Sequence, residues 1–137
     1  MEFIFECDYI SNMPFRRILV LAAFVIGSQI ASVAVRAAEL VMFEQPGCVW
    51  CQRFEAEVAP GYGNADEGRL APLRRIDIRA QDKAGFALAN NVRITPTFVL
   101  VNDGREIGRL TGYPGRDFFW TELAELTVRL PKSSNPD

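Results

Sequence analysis

From Glu39 onward, short apolar runs alternate with amphipathic stretches along the chain. "ELVMFEQ" (Glu39 to Gln45) is an apolar run closed by Pro46-Gly47, the pattern of a short buried strand. The next stretch, "CVWCQRFEAEVAP", places Cys51, Phe54 and Val58 on one helical face, with Arg53, Glu55 and Glu57 off it. It predicts a helix opening at Cys48 and stopped by Pro60-Gly61. Ala59 to Pro72 is rich in turn residues and predicts a loop with a helical turn near Asp66. "LRRIDIR" (Leu73 to Arg79) alternates loosely and predicts a second strand. "QDKAGFALANN" predicts a short helix with Asp82 near its start. "TFVLV" and "REIGRL" flank "NDG", and Asp-Gly between strand-like runs is a strong hairpin signal. In "RDFFWTELAELTVRL", Phe119, Leu123, Leu126 and Leu130 recur at helical spacing, which predicts a closing helix packed on the sheet. "PKSSNPD" (132–137 with Pro131 before it) reads as a frayed tail.

The order strand–helix–strand–helix–strand–strand–helix combines a parallel strand pair with an antiparallel hairpin. The expected architecture is α/β: a mixed four-stranded sheet with helices on both faces, in one domain over residues 38–131.

Residues 1–37 follow a different pattern. Arg16 and Arg17 precede the apolar run from Ile18 to Val35, and small residues at Val35 and Ala37 suit cleavage after Ala37 or Ala38. This is the layout of a secretory signal, and Met13 begins it better than Met1. Met1 to Asn12 carries acids that such a signal avoids, so it reads as an upstream extension, and Cys7 would be absent from the mature protein. The alternative is an uncleaved anchor, since the apolar run is close to the ~17-residue minimum for a span. Either way the arginines stay cytoplasmic and the domain faces the export side. In a Gram-negative cell that is the periplasm, where disulfides form.

Composition narrows the chemistry. The chain has 137 residues, a net charge of -2 and no histidine. There is no basic run to hold nucleic acid. The absence of imidazole removes Ser-His-Asp triads, Cys-His nucleophiles and histidine-bearing zinc sites. No glycine-rich nucleotide fingerprint is present, so any electrons come from another protein. Attention falls on Cys48 and Cys51. As a metal site they lack partner ligands, and no metal is expected. As a staple they would close too small a ring to remove much entropy from the unfolded chain. As a redox pair their position makes sense. Unpaired N–H groups and the dipole at a helix start favour an anion. They lower a thiol's pKa to roughly 3.5–7.5 in such motifs, against about 8.5 for free cysteine. Cys48 is then the nucleophile, and Cys51, one turn in on the buried face, resolves the mixed disulfide.

A Cys-x-x-Cys opening the first helix of this element order resembles the active site of the thioredoxin-like proteins. Two further marks agree with it: Pro96 in "RITPTFVLV", and Gly112 in "LTGYPG". The resemblance covers about Glu39 to Leu130 and implies a thioredoxin-like fold. It implies a cis proline at Pro96 facing the cysteine pair, backbone groups of Thr95 offered to a bound peptide, and room for substrate at Gly112. Trp50, between the cysteines, is a candidate for the docking surface. It implies no cofactor beyond a redox-active Cys48–Cys51 disulfide. Within the family, the wording is most similar to periplasmic members that serve bacterial sulfur oxidation. That likeness implies a reductase that keeps a carrier-protein cysteine active and is recharged by a membrane electron-donor protein. Alternatives are another client, such as an apocytochrome c, or a non-catalytic module that only binds or regulates. Where the family's reductases carry a buried acid this chain has Met42, which leaves water or Glu44 to take the Cys51 proton. Tyr113, Pro114 and Gly115 read as a turn, Phe118, Phe119 and Trp120 as helix packing, and Arg74 and Arg75 as a solvated face.

Overall fold

A computed structural model describes residues 38–131. The upstream extension, the signal or anchor segment, Cys7 and residues 132–137 lie outside the described residues. Among those described, no helix is long and apolar enough to cross a membrane.

The sheet has four strands: β1 (Glu39–Glu44), β2 (Leu73–Asp77), β3 (Thr97–Asn102) and β4 (Arg105–Thr111). Their spatial order is β2-β1-β3-β4, with β2 parallel to β1 and the other neighbours antiparallel. The mixed sheet expected from the element order is therefore present. Central β1 and β3 are apolar nearly throughout because both of their faces are covered. Leu40, Met42, Phe98 and Leu100 face one buried cluster, and Val41, Phe43, Val99 and Val101 face another. The β3–β4 turn uses Asp103 and Gly104, both at positive φ (50° and 73°), as a tight hairpin requires.

On the first face lie α1 (Val49–Glu57) and α4 (Arg116–Thr127), with α2 (Ala59–Tyr62) and α3 (Asp66–Leu70) in the connection between α1 and β2. Cys51, Phe54 and Val58 are buried, and so are Phe119, Leu123 and Leu126; Leu130 is partly buried against the same cluster. The aromatic centre is Phe54, whose ring lies 4.6 Å from Phe98, 5.1 Å from Phe119 and 5.7 Å from Tyr113.

Several expectations are corrected. Pro60 does not end in a loop; it sits in the first turn of α2, where its missing N–H is no loss. β2 stops at Asp77, whose side chain accepts from the Arg79 N–H at 2.9 Å and caps a 3-10 segment, Ile78–Lys83. No α-helix forms over Gln81–Asn91. Ala80 is non-helical and Gly85 has φ 83°, so the chain breaks out, and Ala87 makes a bridge to Arg105. The second face is thus covered by the 3-10 segment and an irregular stretch whose Ala84, Phe86, Leu88 and Val92 pack on Val41, Phe43, Val99 and Val101. Phe118 does not pack in the core; it is 56% exposed, while Trp120 stacks on Tyr62. Arg75 is exposed, as expected, and Arg74 half-buried, but both are ion-paired. Arg74 grips Glu39 of β1 with both ends of its guanidinium at 2.8 Å, and Arg75 pairs with Glu55 of α1.

Candidate active site

The site is built at the end of β1. Gln45 to Cys48 form a turn closed by the Cys48 N–H on the Gln45 carbonyl at 3.2 Å. Pro46 sets the first corner and Gly47, at φ 77°, supplies the positive φ that the second corner needs. This turn delivers Cys48 to the N-cap of α1. Its sulfur accepts the Cys51 backbone N–H at 3.1 Å, the bond a serine or aspartate would ordinarily make there. The first turn of α1 holds no acidic side chain, so nothing competes with the sulfur for the positive end of the helix. Cys48 and Cys51 are joined in a disulfide and are 8% and 4% exposed, while Val49 and Trp50 between them stand out at 69% and 51%.

The strand register brings the other residues to the same end of the sheet. Phe43 of β1 lies opposite Thr97, the first residue of β3, and Thr97 lies opposite Thr111, the last of β4. Pro96 and Gly112 therefore flank the end of β1 from which the cysteine turn departs. The Thr95–Pro96 peptide is cis. Gly112, at φ 84°, donates its N–H to the Pro96 carbonyl at 2.7 Å, and a side chain at Gly112 would project into open space. Pro96 is buried and Thr95 half-buried, and the Thr97 hydroxyl donates to the Ile94 carbonyl at 2.7 Å. Neither the N–H nor the C=O of Thr95 has a backbone partner among the described residues.

Two features of the surroundings were not anticipated from the sequence. The first supports Trp50. Arg53 lies 5.7 Å over the Trp50 ring and donates to Glu57 at 2.8 Å, and Glu57 accepts the Tyr113 hydroxyl at 2.7 Å. Tyr113 is buried rather than a mere turn residue, so this chain of contacts ties the cysteine helix to the loop after Gly112. Its charges are held in place. Hydrogen bonds from Arg53 and Tyr113 keep the Glu57 carboxyl below its ordinary pKa, and burial, with the Glu57 hydrogen bond, pushes the Tyr113 phenol up to about 12. The i,i+4 spacing of Arg53 and Glu57 was the signal that could have been read. The second feature is a cleft of about 620 Å³ beside the disulfide. It is lined by Cys48 and Cys51 and by the carboxylates of Glu44, Glu55 and Asp77. Asp77 is held down to about 2 by hydrogen bonds from the Arg79 side chain and backbone. Among the described residues, no cluster of three or more His, Cys, Asp or Glu side chains is placed to hold a metal ion.

A disulfide thus caps a helix at the end of the β2-β1-β3-β4 sheet where the cis Thr95–Pro96 peptide also lies. The model of the thioredoxin-like domain family matches residues 35–127. The chain belongs to the thioredoxin-like family. It is similar to the crystal structure of the periplasmic thioredoxin SoxS from Paracoccus pantotrophus in its reduced form, at 52% identity and a TM-score of 0.65. That match covers 67% of this chain and 97% of SoxS. A thioredoxin from Malassezia sympodialis, Mala s 13, shares the fold at 16% identity and a TM-score of 0.52, over 67% of this chain and 79% of its own. No curated protein matches the chain. As a thioredoxin-like protein carrying the Cys-x-x-Cys disulfide, the chain is a thiol–disulfide oxidoreductase that acts on protein thiols.

Proposed function

We propose that this protein is a periplasmic reductase that keeps a carrier-protein cysteine of a sulfur-oxidation system in its active thiol form. The observation that carries the reading is the 52% identity over 97% of the periplasmic thioredoxin SoxS. Residues 1–37 are the export signal or anchor, residues 38–131 the catalytic domain, and a membrane electron-donor protein restores the dithiol.

The arrangement of the site supports the following steps. In the disulfide form the Cys51 N–H reaches the Cys48 sulfur at 3.1 Å, so after reduction it is placed to donate to a negatively charged Cys48 sulfur. The Cys48 thiolate attacks a sulfur of the client disulfide; a mixed disulfide forms and one client thiolate leaves. Cys51, next to it in the first turn of α1, then attacks Cys48. The mixed disulfide breaks, the second client thiolate departs, and the Cys48–Cys51 bond forms. Two electrons have passed to the client, and the donor's dithiol returns them. Thr95 offers its free peptide groups to the client backbone, Pro96 shapes the floor beneath it, Gly112 leaves space, and Trp50 forms the rim.

Trapping tests this directly. A Cys51→Ser variant exported to the periplasm should accumulate one client bound through Cys48 and released by dithiothreitol. A Cys48→Ser variant should trap nothing and lose insulin reduction. Insulin reduction by Cys48→Ser at the wild-type rate would overturn the assignment.

A further inference from the structure

Cys51 cannot attack until it loses its proton, and its surroundings limit the groups that could take it. On its inner side Cys51 belongs to the buried cluster of Met42, Phe54 and Phe98, which holds no carboxylate, and whose tyrosine hydroxyls, Tyr62 and Tyr113, already donate to the Ala71 carbonyl and to Glu57. Its other side opens on the cleft lined by Glu44, Gln52, Glu55 and Asp77. The Gln52 amide is not a base. Glu55 is engaged by Arg75, whose guanidinium lies 2.8 Å from its second oxygen, and Asp77 is gripped by Arg79. Glu44 is half-buried at the end of β1 and has no ion-pair or hydrogen-bond partner for its carboxylate among the described residues. We infer that Glu44 accepts the Cys51 proton during resolution, directly or through a water in the cleft. This rests on the roles of Cys48 and Cys51 proposed above and adds the base that their second step requires.

The step balances as follows. Cys51–SH, the Cys48–S–S–client bond and the Glu44 carboxylate become the Cys48–Cys51 disulfide, a client thiolate and protonated Glu44. The electron pair of the broken S–S bond leaves with the client sulfur. Glu44 then returns its proton to that thiolate or to solvent.

A reaction with a chromogenic aryl disulfide, 5,5'-dithiobis(2-nitrobenzoate), separates the two thiols in one stopped-flow trace. Pre-reduced protein at equimolar reagent releases a first thionitrobenzoate when Cys48 attacks and a second when Cys51 resolves. In Glu44→Gln the first phase should match wild type, which also shows that the fold and Cys48 are intact. The second phase should slow by roughly tenfold to a hundredfold near pH 6.5, the lower range for loss of a general base. It should also become proportional to hydroxide concentration below the thiol pKa, whereas the wild-type phase depends on pH more weakly. Glu44→Asp should recover part of the rate. Simple loss of a negative charge predicts the opposite sign, because an uncharged residue 44 would ease Cys51 ionisation and speed the second phase. A second phase that is unchanged or faster, or both phases slowed by one factor, overturns the role of Glu44 alone. A wild-type protein that releases no second thionitrobenzoate overturns the resolving role of Cys51, and this inference with it.

Discussion

Phe54→Ala tests whether the core seats the catalytic helix. Phe54 is fully buried on α1, three residues beyond Cys51, with the rings of Phe98, Phe119 and Tyr113 at 4.6, 5.1 and 5.7 Å. Truncating a core phenylalanine removes its transfer energy and leaves a cavity, a loss of roughly 3–5 kcal/mol. Aromatic pairs at these separations add about 0.5–1.5 kcal/mol beyond area alone, which places Phe54 toward the upper half of that range. A loss of about 4 kcal/mol lowers the folded-to-unfolded ratio nearly a thousandfold. Against a total of roughly 5–15 kcal/mol for a domain, it takes a large share. The assay is urea unfolding of the disulfide form, followed by the fluorescence of Trp50 and Trp120. The expected result is an unchanged slope and a midpoint shift equivalent to about 4 kcal/mol. Phe118→Ala is the contrast: at 56% exposure it should fall within about 0.5 kcal/mol of wild type. A Phe54→Ala loss below about 2 kcal/mol would show that α1 is seated by something other than this ring cluster.

Two further outcomes are expected. The Glu106 side chain is only 6% exposed; burial alone would raise its pKa, but hydrogen bonds from Arg109 and the Ala89 N–H, with the Arg109 charge, outweigh that and hold it below the ordinary value. A carboxylate with a depressed folded pKa stabilises the fold above its unfolded pKa and ceases to as pH falls through the folded one. Glu106→Gln should therefore lose about 1–3 kcal/mol at pH 7 in urea melts, with the gap to wild type closing below about pH 4; an equal gap at pH 3 and pH 7 contradicts the ion-pair account. Gly112→Ala meets no steric obstacle but forces a side chain to φ 84°, so it should lose roughly 1 kcal/mol of stability. It should also weaken trapping of the client by a Cys51→Ser protein without slowing the reaction of Cys48 with a small disulfide, and undiminished trapping would remove Gly112 from the docking groove.

What the residue pattern revealed depended on how local the physics was. β1, β3 and the hairpin were legible because unbroken apolar runs and Asp103-Gly104 state their geometry within a few residues. The cysteine pair was legible too, since Pro46, Gly47 and the helical face of Cys51, Phe54 and Val58 place it without reference to the rest of the chain. The cover over the second face was not. Ala84, Phe86, Leu88 and Val92 reach it without any regular period, so a short helix was the natural but mistaken reading of Gln81–Asn91. Tyr113 looked like part of a turn because its partners, Phe54 and Glu57, stand on an element far back in the chain. The grip of Arg74 on Glu39 and of Arg75 on Glu55 is equally distant in sequence, and only the parallel pairing of β1 and β2, with α1 across them, brings those charges together.

The Gln81 side chain closes the irregular stretch on that second face. Its Nε2 donates to the Ile78 and Val92 carbonyls at 3.1 and 3.2 Å, and its Oε1 accepts the Val92 N–H at 2.8 Å. One primary amide thus imitates a missing rung of a ladder, offering Val92 the donor and acceptor that a neighbouring strand would supply. An ionised carboxylate can play only the acceptor's part. Deamidation to glutamate exchanges the donor for a negative oxygen facing two carbonyls, and the stretch that leads through Ile94 into Thr95 and Pro96 loses its tether. Chemical ageing at Gln81, under the second face of the sheet, would in this way reach the Thr95–Pro96 segment proposed to receive the client.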